Sequence, residues 1–292
     1  MRSFLFIPAD SEAKLAKGLG SGADALILDL EDSVAATRKP AAREIALAYL
    51  KQHVATAKRP RLIVRVNALD TGLTDADLDA VVAGAPDAIL LPKAEGGPSV
   101  VHLDAKLTAR EAIHGLPDGR IQIIALATET ASALFVAGTY GGSSPRLTGI
   151  TWGAEDLSAE LGSETNRDGN GRFTSPYMLA RNLSLAAAAA ARVAAIDTVY
   201  ADFRNMEGLR AECLEARRDG FVAKMAIHPA QVAVINEVFT PPADAVATAR
   251  AVVAAFAENP SAGVVAIDGV MFDRPHLTRA ERLLARIRTY ET

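Results

Sequence analysis

The sequence contains a single cysteine, Cys213, among its 292 residues. One cysteine excludes an intramolecular disulfide and any cysteine-based metal cluster, and it is typical of proteins from reducing compartments. Cys213 lies within the helical pattern EGLRAECLEARRDG, whereas a reactive thiol needs an accessible, electropositive setting. We therefore expect a cytoplasmic protein whose chemistry does not depend on a thiol.

The sequence also lacks an excess of charge and a long apolar run. Its 31 basic and 35 acidic side chains give a formal charge of −4, without the basic patch of a nucleic-acid binder. The most apolar stretch, LSLAAAAAARVAAI, is interrupted by Arg192 and is shorter than the roughly 18 apolar residues of a membrane span. We expect neither a nucleic-acid partner nor a membrane partner.

Short apolar runs alternate with longer amphipathic stretches along the chain. The apolar runs predict eight strands, at about residues 3–7, 25–29, 61–66, 88–91, 121–126, 149–152, 197–200 and 222–227. Helices are predicted at about residues 11–20, 40–55, 74–83, 98–114, 130–138, 175–195, 206–218 and 229–238. Because this alternation indicates a parallel sheet covered on both faces, eight units predict a TIM barrel. An open doubly wound sheet is the alternative, but no strand leads into a G-x-G-x-x-G turn.

The chain continues beyond the eighth unit. We predict a barrel domain over residues 1–240 and a C-terminal helical extension over residues 241–292. The extension is expected to contain a helix near residues 243–257, a loop that holds Asp268 and Asp273, and a terminal helix. Because the eight units already close the barrel, we expect this extension to pack against a neighbouring subunit.

Ionisable residues cluster at the ends of the predicted strands, where a TIM barrel carries its active site. They are Asp29, Glu31, Asp32, Arg65, Lys93, Glu95, Glu129, Glu155, Asp156, Asp202, Arg204 and His228. A single acid at such a position could merely cap the N-terminus of the following helix, and Lys93 and Glu95 could form an ion pair that fixes a loop. The convergence of so many carboxylates on one rim favours a site.

Carboxylates buried together repel one another unless a cation offsets their charge. Oxygen ligands in small number, completed by water, suit Mg²⁺. Zinc is disfavoured because no two of the five histidines have a ligand spacing. Calcium is disfavoured because NRDGNG at 166–171 resembles the start of an EF-hand loop but leads to Tyr177 where a bidentate glutamate is required.

Nine segments, taken in order, resemble the citrate lyase β-subunit-like group of the HpcH/HpaI aldolase superfamily. They are SFLFIPA, ALILDLEDSV, RVN, LLPKAE, ETA, GAEDLSAELG, YADFRNMEGL, AIHPAQV and DGVMFDRPHL, from about residue 2 to about residue 288. The resemblance implies a TIM barrel with a C-terminal lid and an Mg²⁺-dependent activity. That activity would make or cleave the carbon–carbon bond of a 3-hydroxyacyl-CoA, such as citramalyl-, malyl- or citryl-CoA, with acetyl-CoA or a related acyl-CoA and a 2-keto acid as products.

The resemblance also implies roles for individual residues of the barrel. Glu129 and Asp156 correspond to the two Mg²⁺ ligands, and Arg65 corresponds to the arginine that binds the oxygens of the keto acid. Glu31 and Asp32 correspond to residues that hold water molecules around the ion. Chelation of the keto acid by Mg²⁺, assisted by a fork-shaped guanidinium, would polarise the carbonyl group.

In the lid, Asp273 corresponds to a catalytic acid/base that reaches the site of a neighbouring subunit. A carboxylate near the thioester methyl group can take or return the proton of the enolate. This correspondence implies a homo-oligomer, either a trimer or a hexamer.

Five further residues are candidates for contact with small molecules. Asp29, Lys93 and Glu155 are expected beside the substrate. Lys39 and Arg43 follow the ALILDLEDSV segment and are candidate cations for the phosphates of CoA, although an ordinary surface role explains them equally well.

Other functions remain open at this point. A class II pyruvate aldolase without CoA would carry a catalytic histidine on an early loop, whereas the first histidine is His53. A malyl-CoA-type thioester hydrolase would differ from the lyase in little more than the attacking group, which is water in the hydrolase and an enolate in the lyase. A non-catalytic binding subunit would lack some of the metal ligands, the arginine or the lid acid. A barrel of the phosphoenolpyruvate mutase/isocitrate lyase type would, in its lyase members, need a cysteine at a strand end.

Overall fold

The computed structural model describes residues 1–291 and the side chains of residues 1–287. Eight strands form a closed barrel in the order in which they occur in the chain. They are β1 (Ser3–Pro8), β2 (Ala25–Asp29), β3 (Arg61–Arg65), β4 (Ala88–Ala94), β5 (Gln122–Ala127), β6 (Leu147–Trp152), β7 (Ala194–Asp197) and β8 (Ala223–Ala226). Each strand pairs in parallel with the next, and β1 pairs with β8, which confirms the predicted TIM barrel.

Helices connect the strands. They are α1 (Glu12–Leu19), α2 (Lys39–His53), α3 (Thr74–Val81), α4 (Gly96–Ile113), α5 (Ala131–Val136), α6 (Glu155–Leu161), α7 (Ser175–Ala191), α8 (Met206–Asp219) and α9 (Pro229–Phe239). The short α6 is additional to the predicted set. In the described part of the chain, no helix combines the length and the apolar character that a membrane crossing requires.

The predicted position of the seventh strand was wrong by three residues. The alanine-rich helix α7 ends at Ala191 because Arg192 adopts a left-handed conformation, with φ of 59°, and the N–H of Val193 donates back to Ala188. The residues that follow pair with β6 and β8, so tertiary pairing overrides the helix propensity of alanine. The segment YADFR is consequently a loop, and Asp202 and Arg204 are exposed beyond the strand end.

The barrel interior is filled by alternate residues of the strands. Phe4, Ile27, Leu90, Leu126 and Met225 belong to one buried apolar cluster. Successive side chains of a strand point to opposite faces, so the next inward positions toward the carboxyl end are Asp29 after Ile27 on β2, Arg65 after Ile63 on β3, and Thr151 after Gly149 on β6. The core thus becomes polar at the end of the barrel where the predicted site lies.

Residues Arg2–Glu237 form one compact unit, and the chain from Val238 onward forms a second one. The second unit contains α10 (Ala243–Glu258), β9 (Val264–Ile267), β10 (Val270–Asp273) and α11 (Arg274–Glu291). The expected loop around Asp268 and Asp273 is in fact an antiparallel hairpin. Its turn is Asp268–Gly269, both with positive φ, which is a pairing that two-residue hairpin turns favour. Whether this unit acts as the lid expected for residues 241–292 stays a prediction.

Candidate active site

Arg65 and Asp29 form a paired fork at the mouth of the barrel. Arg65 Nε donates to Asp29 Oδ1 and Nη2 donates to Oδ2, each over 2.7 Å. Asp29 also accepts the backbone N–H groups of Glu31 and Ser33. Burial alone would raise the pKa of Asp29, but the hydrogen bonds and charge of Arg65 outweigh it and lower that pKa. Asp29 is therefore ionised and fixes the orientation of the guanidinium.

Lys93 lies among three further carboxylates. Its Nζ atom is 2.6 Å from Glu31 Oε1, 3.3 Å from Asp156 Oδ1 and 3.5 Å from Asp32 Oδ2. Glu31 Oε2 forms an ion pair with Arg65 Nη1 at 2.8 Å, without the alignment of a hydrogen bond. Despite both cations, burial keeps the pKa of Glu31 above its usual value. The structure thus brings Glu31, Asp32, Lys93 and Asp156 together, from three strand ends.

Glu129 is deeply buried, with 3% of its surface exposed. Its Oε2 atom accepts the backbone N–H of Lys93 over 2.6 Å. Burial raises the pKa of Glu129 well above its usual value, and the neighbouring charges of Asp156 and Glu31 raise it further. An ionised Glu129 accordingly requires a nearby cation.

Two non-glycine residues beside Glu129 have a left-handed backbone. Lys93, at an irregularity in the pairing of β4 with β5, has φ of 48°, and Thr128 has φ of 59°. Such conformations cost about 1–2 kcal/mol per residue and cluster at functional sites. They aim the N–H of Lys93 at Glu129. Gly153 completes the fit, because a Cβ atom there would lie 2.9 Å from Glu129 Cγ.

Asp156 and Glu155 occupy the first turn of α6 but have different surroundings. The Asp156 side chain is 34% exposed, contacts Lys93 and faces a cavity at the barrel mouth. Glu155 is exposed, lines the edge of the same cavity and accepts a hydrogen bond of 2.9 Å from Asn166 Nδ2. Glu155 therefore ties the loop after α6 to the rim.

The cavity has a volume of about 260 Å³. Its lining residues are Phe6, Asp29, Asp32, Ser33, Arg65, Leu126, Glu129, Thr151, Trp152, Gly153, Ala154, Glu155, Asp156, Thr198, Val199, Met225 and Ile227. The sequence analysis identified only the charged residues of this set and missed the others, among them Thr151 and Gly153. A threonine inside a strand and a glycine after it are ordinary in sequence, so no local signal could have singled them out.

The two candidate CoA-binding cations have internal partners instead. Lys39 Nζ donates to the carbonyl oxygens of Leu30 and Glu31 and to Asn67 Oδ1, which uses all three of its N–H groups. Arg43 Nε donates to the buried carboxylate of Asp77 over 2.7 Å. The geometry gives both residues a role in holding the ends of β2 and β3 together. A contact with CoA stays an untested prediction.

Asp273 lies in the second unit, at the junction of β10 and α11. Its carboxylate contacts Nδ1 of His276, one turn into the helix. The hydrogen bond from His276 lowers the pKa of Asp273, which favours the ionised form. The catalytic role of Asp273 stays a prediction.

A divalent cation fits the residues at the mouth of the barrel in part. Within residues 1–287, no three histidine, cysteine, aspartate or glutamate side chains are grouped so that they alone would enclose an ion. Glu129 and Asp156 nevertheless face the same cavity, and the charge of Asp156 raises the pKa of Glu129. Two carboxylates with the remaining positions left for water or substrate are typical of Mg²⁺ sites.

Comparisons with known proteins agree with this architecture. Residues 2–229 match the model of the family described as HpcH/HpaI aldolase/citrate lyase, and residues 177–292 match a model described as C–C bond lyase of the TIM-barrel fold. A (3S)-malyl-CoA thioesterase from Cereibacter sphaeroides is 39% identical over 289 residues, which cover 98% of this chain and 94% of that protein. A citrate lyase subunit beta-like protein from Mycobacterium tuberculosis is 36% identical, with 97% and 94% covered.

Solved structures show the same likeness. CitE from M. tuberculosis, in complex with magnesium, acetoacetate and coenzyme A, aligns with a TM-score of 0.75 and 36% identity over 98% of this chain and 97% of that one. A citrate lyase beta subunit from the same organism, complexed with oxaloacetate and magnesium, aligns with a TM-score of 0.68 and 35% identity over 82% and 96%. The resemblance found in the sequence is thereby confirmed, and the chain belongs to the HpcH/HpaI aldolase/citrate lyase family.

Proposed function

We propose that the chain is an Mg²⁺-dependent carbon–carbon lyase that cleaves or forms a 3-hydroxyacyl-CoA. The products would be acetyl-CoA or a related acyl-CoA and a 2-keto acid. The observation that carries the proposal is the buried carboxylate of Glu129, which faces one cavity together with Asp156 and the fixed guanidinium of Arg65. The magnesium-bound M. tuberculosis relatives support the choice of metal.

Glu129 and Asp156 would hold the ion, and Glu31 and Asp32 would orient water around it. When bound, Mg²⁺ supplies a Lewis acid that polarises the carbonyl group of the keto acid. The Lys93 N–H keeps one oxygen of Glu129 in place, and the Lys93 ammonium separates the carboxylates of Glu31 and Asp156.

Arg65 would bind the oxygens of the keto acid. Its guanidinium is held on one side by Asp29 and rests over the ring of Phe6, with 4.9 Å between Cζ and the ring centroid. This fixed orientation removes the entropy cost of positioning the group for each turnover. Asp29 acts through Arg65 and is a positioning residue.

Cleavage requires that a proton leave the 3-hydroxyl group and that the enolate carbon of the acyl-CoA gain one. Asp273 would handle the proton at that carbon, supplied by the second unit of a neighbouring subunit in a homo-oligomer, either a trimer or a hexamer. The contact with His276 keeps Asp273 ionised, which is the form that would remove a proton from the acyl-CoA carbon in the condensing direction. In cleavage, Asp273 would first have to take up a proton, equivalent to the one that the 3-hydroxyl group loses, before it returns that proton to the enolate carbon.

A thioester hydrolase is the second candidate, and one comparison favours it specifically, because the C. sphaeroides relative is a (3S)-malyl-CoA thioesterase. The two activities share the binding of the acyl-CoA and differ in the bond that breaks. A pyruvate aldolase without CoA fits less well, since the magnesium-bound relative with the TM-score of 0.75 also holds coenzyme A.

Incubation with citryl-, malyl- and citramalyl-CoA in the presence of Mg²⁺ separates these functions, if free thiol and keto acid are followed independently. We expect keto acid without free thiol. Asp156→Asn and Asp273→Asn should lower turnover more than about a hundredfold, and chelation of Mg²⁺ should abolish it. Glu160→Gln, an exposed acid on the same helix as Asp156, is the matched control and should match wild type. Thiol without keto acid would instead establish the hydrolase.

A further inference from the structure

The start of α11 carries a pair of polar residues, Asp273 and His276, that contact each other through both backbone and side chain. Asp273 directly precedes the helix, and His276 follows three residues later. The backbone N–H of His276 donates to Asp273 Oδ1 over 3.3 Å, and the backbone N–H of Asp273 donates to His276 Nδ1, also over 3.3 Å. This reciprocal arrangement is a capping box, in which glutamate or glutamine usually takes the place of the histidine.

The imidazole ring does more than cap the helix, because Nδ1 of His276 also contacts the carboxylate of Asp273. A ring nitrogen either donates or accepts a hydrogen bond, and it does not do both at once. With a proton on Nδ1, the ring donates to the carboxylate. Without that proton, Nδ1 accepts from the backbone N–H of Asp273 or from a protonated Asp273 carboxyl group. A side-chain hydrogen bond therefore joins the pair whether the shared proton lies on His276 or on Asp273.

The surroundings of the pair leave the imidazole ring accessible to water. The side chain of His276 is 38% exposed and that of Asp273 is 42% exposed. The ring of Phe272 packs edge-on against the imidazole, with 5.4 Å between the ring centroids, and so orients it without using either nitrogen. The adjacent cation, Arg274, is directed elsewhere, since it donates to a backbone carbonyl oxygen and lies over the ring of Phe256. Within residues 1–287, His276 is the one side chain that pairs with Asp273.

An acid that protonates the enolate carbon needs a source of protons. Each cleavage would leave Asp273 as a carboxylate, which must be protonated again before the next turnover. The hydrogen bond from His276 holds the pKa of Asp273 below its ordinary value, so the carboxylate is a poor acceptor of protons from neutral water. An imidazole in direct contact is a suitable donor, because histidine changes its charge near neutral pH.

We propose that His276 is the proton relay of Asp273. The inference rests on the proposed lyase function and on the role of Asp273 in it. The imidazolium passes its Nδ1 proton to the Asp273 carboxylate, Asp273 passes that proton to the enolate carbon, and the neutral imidazole regains a proton from solvent. The proton that the 3-hydroxyl group releases to solvent balances this uptake, so cleavage consumes none. His276 acts through Asp273 and is a positioning residue.

His276→Gln separates the relay from the helix cap. Glutamine completes a capping box but does not carry a proton at neutral pH, so the variant should unfold at the same temperature as wild type. With whichever of citryl-, malyl- and citramalyl-CoA the wild type cleaves, its kcat should fall at least about tenfold while KM stays unchanged. His102→Gln, which replaces an exposed histidine of α4, is the matched control and should turn over as wild type does.

Chemical rescue provides a readout that a purely structural histidine would not give. His276→Ala opens space beside Asp273, and added imidazole should raise the kcat of this variant at least about fivefold without affecting wild type or Asp273→Asn. A wild-type kcat in His276→Gln, or no response of His276→Ala to imidazole, would overturn the relay and leave the lyase function intact. Wild-type turnover in Asp273→Asn would overturn the role of Asp273 and the relay together. The absence of keto acid from wild type would overturn the lyase function and this inference with it.

Discussion

Two of the charge clusters in the barrel differ in how their charges balance. The mouth cluster contains Asp29, Glu31, Asp32, Arg65, Lys93, Glu129 and Asp156. The outer cluster contains Arg167, Arg181, Asp197, Glu212, Asp219 and Lys224. In the outer cluster three cations meet three acids, whereas in the mouth cluster two cations meet five acids.

The geometry of the outer cluster shows what full pairing achieves. Lys224 on β8 is completely buried, and its Nζ atom donates to Asp197 Oδ2 over 2.6 Å and to Glu212 Oε1 over 2.8 Å. Asp197 also accepts the indole N–H of Trp152 over 2.9 Å. Burial would raise the pKa of Glu212, but the charges of Lys224 and Arg167 outweigh it and lower that pKa.

Glu129 in the mouth cluster is at least as deeply buried, yet its pKa moves in the opposite direction. Burial alone therefore does not distinguish a structural acid from a functional one. The balance of neighbouring charge separates these two acids, because an acid whose neighbouring cations do not outweigh its burial is a candidate ligand for a metal ion. Three substitutions test whether charge balance separates the two clusters.

Lys224→Met should have the largest effect on stability. Removing one member of a buried ion pair leaves the other charges uncompensated, so we expect the free energy of unfolding to fall by about 3–5 kcal/mol. Chemical denaturation measures the loss. Lys106→Met is the matched control, because Lys106 pairs with the largely exposed Asp75 and should cost less than about 1 kcal/mol. Similar losses for the two variants would mean that the outer cluster is not a structural core.

Glu129→Gln should raise the free energy of unfolding, by less than Lys224→Met lowers it. The amide keeps an acceptor for the Lys93 N–H and removes the unpaired charge, so the metal-free protein should gain about 1–2 kcal/mol of stability at neutral pH. Glu212→Gln, the matched change in the outer cluster, should lose stability instead. Denaturation in the presence of a chelator measures both, and a loss for Glu129→Gln would show that its charge is already compensated.

The pH dependence should separate the same two acids. The folded-state pKa of Glu129 is raised above the unfolded value near 4.5, so its contribution to stability is present below that pH and is lost as pH rises through the folded pKa. The folded-state pKa of Glu212 is lowered, so its contribution is present above the same unfolded value and is lost as pH falls through the folded pKa. The free energy of unfolding, measured against pH, should therefore lose a falling component in Glu129→Gln and a rising component in Glu212→Gln.

Much of the barrel could be predicted from the sequence because its strands are nearly all-apolar and end at polar residues. The convergence of Asp29, Arg65, Glu129 and Asp156 followed from the rule that parallel strands present their carboxyl ends at one face. The seventh strand could not be placed, since an alanine run has high helix propensity and only pairing with β6 and β8 decides where the helix ends. The hairpin of the second unit did carry a signal, the Asp268–Gly269 pair between two β-rich runs.

Side-chain partners were the least predictable feature. Lys39 is near the mouth cluster in sequence and in space. Only the fold shows that its ammonium group donates all its hydrogen bonds to two carbonyl oxygens and to Asn67. Thr151 is the reverse case, a cavity-lining residue with an ordinary pattern whose buried hydroxyl has no partner among residues 1–287. Both depend on contacts between residues far apart in sequence, which local patterns do not encode.

Arg167→Met should have the smallest global effect and would show how far the outer cluster extends. Arg167 Nη1 donates to Glu212 Oε2 over 2.9 Å and to the carbonyl of Gly171 over 2.7 Å, and Cζ lies 3.7 Å from the ring centroid of Phe173. Because Glu212 retains Lys224, we expect a loss of only about 1 kcal/mol.

The loss should be concentrated in the loop over residues 162–174, which connects the outer cluster to Glu155 at the mouth. Faster amide hydrogen exchange there, with unchanged exchange in β7 and β8, is the expected result, and exposed Arg172→Met is the matched control. If exchange instead increases in the strands, Arg167 is as central to the cluster as Lys224. In that case the loop over residues 162–174 would also belong to the structural cluster that stabilises the barrel.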